Sequence, residues 1–168
     1  MHLTLLNVNE TLTPDDHQTH RRYAFQVPSD CQELRIRVSY TPKYVSLEES
    51  QALSAAALRR QRADLTQRLG ESLAASWTAD LAAAAETVPV PNLLTISLDD
   101  ADGVYRGAAH RHAPDQSLVL GPGGAAPGLV RGPLASGTWT LTLSAHTLVS
   151  PQVHVAIQIG AEMASSPA

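Results

Sequence analysis

A chain of 168 residues is the size of one domain and is long enough to bury a hydrophobic core without disulfide or metal staples. With 43% hydrophobic and 17% charged residues it falls outside the disordered class, and a formal net charge of −4 supplies no general attraction to nucleic acid or anionic membranes. The aromatic share of 4% leaves few rings for stacking on sugars or bases, so Leu, Val, Ile and Ala must build the interior.

Residues 3–12 read as a first strand, in which Leu3, Leu5, Val8 and Leu12 give a broken alternation that stops at Thr13-Pro14-Asp15-Asp16. From Arg21 to Val27 the alternation is cleaner, with Tyr23, Phe25 and Val27 opposed to Arg22, Ala24 and Gln26, and Pro28-Ser29-Asp30 ends it. Leu34, Ile36 and Val38 alternate with Glu33, Arg35, Arg37 and Ser39, a strand with one wet face of the kind antiparallel sheets use.

At Ser46 the period changes. Ser46-Leu47-Glu48-Glu49 fits a capping box, in which the Ser hydroxyl and the Glu side chain satisfy backbone donors at a helix start. Leu58, Leu65, Leu69, Leu73, Trp77 and Leu81 then recur at spacings of four and seven, one apolar stripe over a helical segment of about 47–87. Gly70 marks a break, which predicts one long helix or a helical hairpin, and Pro89 and Pro91 end the segment. Arg59, Arg60, Arg62 and Arg68 are interleaved with Asp64 and Glu71 and read as a solvated face rather than a basic patch.

Strands resume at Leu94, Ile96 and Leu98, and Asp99-Asp100-Ala101-Asp102-Gly103 predicts a reversal. Short runs at Val104–Arg106 and Ser117–Leu120 flank Gly107–Pro114, and the Gly- and Pro-rich residues 121–133 read as a surface loop. Trp139, Leu141 and Leu143 alternate with hydroxyl residues from Thr138 to Ser144, and Val153, Val155, Ile157 and Ile159 close the fold. The expectation is mainly β: an antiparallel β-sandwich or jelly roll of about seven or eight strands, one domain over 1–160, with an amphipathic helical insertion and a loose tail over 161–168.

Certain segments follow one another in a familiar order. Thr11-Leu12-Thr13-Pro14-Asp15-Asp16, Phe25-Gln26-Val27-Pro28 and Leu94-Thr95-Ile96-Ser97-Leu98 with Asp102-Gly103 come first. Gly107-Ala108-Ala109-His110-Arg111-His112, the Gly121-Pro122 loop with Ala126-Pro127-Gly128, and Gly132-Pro133-Leu134-Ala135-Ser136-Gly137-Thr138-Trp139 follow. Together they cover most of the chain outside residues 43–91, and their order resembles the N-terminal β-sandwich domain of bacterial PHP-type metallohydrolases, the group that includes carbaryl hydrolase. In those enzymes the metal chemistry belongs to a PHP domain that follows the sandwich, and this chain ends where that domain would begin. The resemblance therefore implies an accessory sandwich and carries no hydrolase activity with it. The segment from Leu47 to Glu86 has no counterpart in the typical domain.

Among candidate sites, His110 and His112 stand two apart and would face one side of an extended strand, with His146 as a third metal ligand and Asp115 or His17 to complete a shell. The competing reading is a pair of histidines that pins a loop. Asp99, Asp100 and Asp102 before Gly103 suit a tight turn better than calcium, since no Glu occupies the twelfth position of an EF-hand loop. No Gly-x-Ser-x-Gly elbow, paired carboxylates on one element or phosphate-binding loop occurs. Leu58, Leu65, Leu69, Leu73 and Trp77 either pack within the protein or meet another subunit.

The leading expectation is a non-enzymatic interaction or assembly module, a stand-alone relative of the accessory sandwich, with a protein partner or a second copy engaged through the helical insertion. A small-ligand or carbohydrate-binding domain is the first alternative, and a metal-binding protein or metal-dependent enzyme using His110, His112 and His146 is the second. No cofactor is required by any motif, a divalent metal is admissible, and neither nucleic acid nor membrane is expected as a partner. The lone Cys31, the absence of a signal-peptide pattern and the lack of any run near the roughly 20 apolar residues of a membrane span make cytoplasmic location the expectation.

Overall fold

The computed structural model describes residues 1–85, 87–109 and 113–164, with backbone alone at residues 80, 81, 84 and 85. The chain divides into two compact units, one formed by Met1–Lys43 together with the residues from Asn92 onward, the other by Tyr44–Pro91.

The first unit holds eight strands among the described residues: β1 (His2–Leu12), β2 (Thr19–Val27), β3 (Cys31–Thr41), β4 (Leu93–Asp99), β5 (Tyr105–Ala109), β6 (Asp115–Leu120), β7 (Gly137–Thr147) and β8 (Val153–Met163). They form two antiparallel sheets, ordered β1-β8-β3-β6 and β2-β7-β4-β5. Only β4 and β5 are consecutive in sequence and neighbours in a sheet. Every other step along the chain passes from one sheet to the other, which is the jelly-roll order.

The period-two patterns are the cause of the sandwich, because each places its apolar set on the inner face. Leu34 and Ile36 of β3, Leu141 of β7 and Ile159 of β8 are fully buried between the sheets. Trp139 is buried with them, its Nε1 donating to the Ala135 carbonyl at 2.7 Å and its ring 6.4 Å from that of Phe25. The guanidinium of Arg106 lies 5.2 Å from the Trp139 ring and donates to the carbonyls of Pro133, at 2.9 Å, and Val130, at 3.2 Å. A buried cation thus fastens the long loop to the sheet, with its donors satisfied.

That loop, expected over 121–133, is not idle. Leu129 bridges to Gly107, Ala108 donates to the Gly128 carbonyl at 3.0 Å and Val130 to the Arg106 carbonyl at 2.9 Å, so the loop covers the free edge of β5. Close approach requires glycine on both sides. A Cβ at Gly107 would overlap the Gly128 carbonyl oxygen, and one at Gly128 would overlap that of Ala108.

At the other end, β8 continues two residues past the expected start of the tail. Ala161 pairs with Leu3 and with Leu34 and is fully buried, because β8 is bonded on both sides, to β1 and to β3. Small Ala161 carries little apolar signal in the sequence, and its neighbours rather than its own pattern hold it in the strand.

Where the first unit gives way to the second, Asn92 forms a buried clasp. Its amide nitrogen donates to the Pro42 carbonyl at 3.0 Å and to Ser150 Oγ at 2.7 Å, while its Oδ1 accepts from the backbone of Val149 at 2.8 Å and Ser150 at 3.2 Å. Its own carbonyl accepts from Tyr40 and Lys43 at 3.2 and 3.0 Å. All four side-chain capacities of the amide are used, which closes the sandwich across the point of insertion.

The second unit is a helical hairpin of α1 (Leu47–Leu69) and α2 (Glu71–Ala85). The expected capping box is present: Ser46 Oγ accepts from the Glu49 backbone at 3.2 Å and Glu49 Oε2 from that of Ser46 at 3.0 Å. Buried Ser50 accepts from Val90 at 2.8 Å and so ties the returning chain to the first turn of α1. Gly70 ends α1 at φ +85°, a value that favours glycine, and Arg62 pairs with Glu71 across the break.

Candidate functional site

The expected apolar stripe changes phase at Gly70. Among the described residues of α2 the buried positions are the small residues Ala74 and Thr78, and each lies one residue beyond Leu73 or Trp77. Leu58 and Leu65 of α1 are half-buried, whereas Leu69, Leu73 and Trp77 are 46%, 54% and 59% exposed. Of the six stripe residues the structure leaves three at the surface, and the side chain of Leu81 lies outside the described residues. Two of the four arginines nearby are tied into ion pairs, Arg62 with Glu71 and Arg68 with Asp64. Glu71 has its carboxyl held below the ordinary range chiefly by Arg62.

His146, the third member of the histidine set, lies on the outward face of β7, where the alternation puts it. Its Nε2 is 2.7 Å from Thr95 Oγ1, and His20 Nδ1 is 2.9 Å from Ser144 Oγ on the same face. His110 and His112 lie outside the described residues. His17 accepts from the Leu148 backbone at 3.3 Å, and among the described residues no three metal-ligating side chains gather. The Asp99–Gly103 segment acts as a turn: Asp100 Oδ1 accepts from the backbone of Asp102 at 3.0 Å and Val104 at 2.9 Å, and its Oδ2 faces Arg106 at 3.5 Å. Cys31 is buried, and burial pushes its thiol up, away from the reactive thiolate.

The outward face of the β1-β8-β3-β6 sheet carries a feature that the sequence does not announce. Register places Asn9, Ala156, Ser39 and Asp115 in one row across the four strands. Ala156 and Ser39 are half-buried while Asn9 and Asp115 are exposed, so the row is low in the middle and high at both ends. A depression of about 560 Å³ opens there, and a second of about 330 Å³ shares Ser39, Asp115 and Ala156 with it. Alternation on each strand marks these residues as outward, but only the pairing of strands distant in sequence brings them together.

Glu10, which also lines the larger depression, bridges the two sheets. It accepts from the Tyr23 hydroxyl and pairs with Arg21 at 3.0 Å, and Arg21 also pairs with Asp16 at 2.7 Å. The Thr13 backbone and then Arg21 hold the Asp16 carboxyl below its ordinary value, and burial together with Glu10 pushes the Tyr23 phenol up. These groups stabilise each other and stitch the β1 and β2 edges.

No protein-family model and no curated protein matches the chain. Among the described residues no helix is long and apolar enough to cross a membrane.

Proposed function

We propose that the chain is a non-enzymatic interaction or assembly module whose contact surface is the apolar face of the helical hairpin. The observation that carries this reading is the exposure of Leu69, Leu73 and Trp77 beside positions on α2, Ala74 and Thr78, that are small and buried. Large apolar side chains left in water gain free energy when a partner covers them, and Trp is enriched among the residues that dominate interfaces. A second copy of the chain is the simplest occupant, since two-fold pairing lets each hairpin cover the other's Trp77. The order of the sequence motifs supports the companion proposal that the sandwich is a cytoplasmic relative of the accessory domain of PHP-type metallohydrolases.

Light scattering over a range of concentrations tests the assembly. The intact chain is expected to exceed its monomer mass of 17.9 kDa, and a Leu69→Ser, Leu73→Ser, Trp77→Ser variant to return to it. An intact chain that stays monomeric throughout counts against the reading.

A further inference from the structure

We propose that the groove on the outward face of the β1-β8-β3-β6 sheet binds a short neutral oligosaccharide. This site lies wholly on the sandwich and is independent of the hairpin. Its floor is Ala156 and Ser39, the two half-buried members of a row whose ends, Asn9 and Asp115, stand exposed. The next row along the strands sets Thr11 and Thr41 on either side of His154, and the row beyond the floor sets Asn7 and Arg37 on either side of Gln158. Three rows extend over about 13 Å along the strands, a length that suits a di- or trisaccharide lying in the groove.

The chemistry of the rim selects the ligand class. Asn7, Asn9 and Gln158 each offer both donor and acceptor groups, Arg37 offers donors alone, and ionised Asp115 offers acceptors alone. A sugar hydroxyl donates one hydrogen bond and accepts others, so it uses such a mixture fully. Neither Arg37 nor Asp115 is ion-paired to a described residue, and their charges offset, which favours a neutral ligand over a phosphate or a carboxylate. His154 is already oriented, its Nδ1 lying 3.0 Å from Thr11 Oγ1, and its other ring nitrogen remains for a ligand. The volume of about 560 Å³ is in the range of small-molecule sites. With no exposed Phe, Tyr or Trp among the groove residues, recognition rests on hydrogen bonds rather than stacking.

Screening the intact protein on an array of immobilised neutral and acidic oligosaccharides tests the site, with three variants run in parallel. Asp115→Ala removes the acceptor, Ala156→Leu fills the floor, and Ser144→Ala alters the opposite sheet as a control. The expected result is retention on a neutral oligosaccharide, weakened at least tenfold by each of the first two variants and unchanged by the third, with all variants keeping the thermal unfolding profile of the parent. Two outcomes overturn the proposal: no neutral oligosaccharide is retained, which includes retention confined to acidic glycans, or retention survives both Asp115→Ala and Ala156→Leu. Should Ala156→Leu perturb the fold, Asp115→Ala on the exposed edge strand decides alone.

Discussion

The two tryptophans of this protein occupy opposite situations. Trp139 in the sandwich is fully buried, with its indole nitrogen bonded and a guanidinium near its ring, while Trp77 in the hairpin is 59% exposed. The sandwich is held by apolar area between two sheets. The hairpin is held by a capping box, a glycine-ended helix and an ion pair across the break, and it buries the small residues Ala74 and Thr78 of α2. A unit stabilised in this second way keeps its large apolar side chains available for contact, and that contrast underlies the proposed function.

The contrast is sharpest for the tryptophans themselves. Trp139→Ala is expected to cost about 3–5 kcal/mol in urea unfolding, as for large-to-small changes in a packed core. Trp77→Ala is expected to change monomer stability by less than about 0.5 kcal/mol. Comparable losses at the two positions would break the comparison. Next in size is Asn92→Ala, which strands the Pro42 carbonyl and the Val149 and Ser150 amides and is expected to cost about 3 kcal/mol in the same assay.

Smaller effects belong to the hairpin. Ser46→Ala removes the cap acceptor and is expected to destabilise α1 by about 1 kcal/mol, visible as faster amide exchange in its first turn with sandwich amides unaffected. The smallest effect is in acid. Asp16, Glu49 and Glu71 lie below ordinary values of 3.8, 4.5 and 4.5, so their contribution is complete above those values and is lost as pH falls through the lowered ones. Unfolding free energy should therefore drop modestly between pH 5 and the acid limit of folding, and Asp16→Asn should flatten that slope.

What the sequence disclosed follows from how far each signal reaches along the chain. Period two in Leu34, Ile36 and Val38, or in Trp139, Leu141 and Leu143, is local, and so the strands and their buried faces were legible. Ser46 with Glu49 and the position of Gly70 were equally local and located the helical segment and its break, while leaving one long helix or a hairpin open. The groove was not legible because Asn9, Ser39, Asp115 and Ala156 meet only through three strand pairings, each spanning a long stretch of chain. The phase of α2 was hidden for a related reason. Spacings of four run unbroken from Leu65 through Trp77, yet the backbone at Gly70 redirects the helix, and Ala74 and Thr78 become the packed positions. Asn92 carries no sequence pattern at all, since its importance lies in Pro42, Val149 and Ser150, which it joins from afar.

The jelly roll is expected to be complete without the hairpin, closed across the insertion by the Asn92 clasp. Thermal unfolding of a chain in which residues 44–91 are replaced by a short Gly-Ser linker tests it most directly. A single cooperative transition within about 5 °C of the parent is the expected result. A chain that fails to fold, or melts without cooperativity, would contradict the claim.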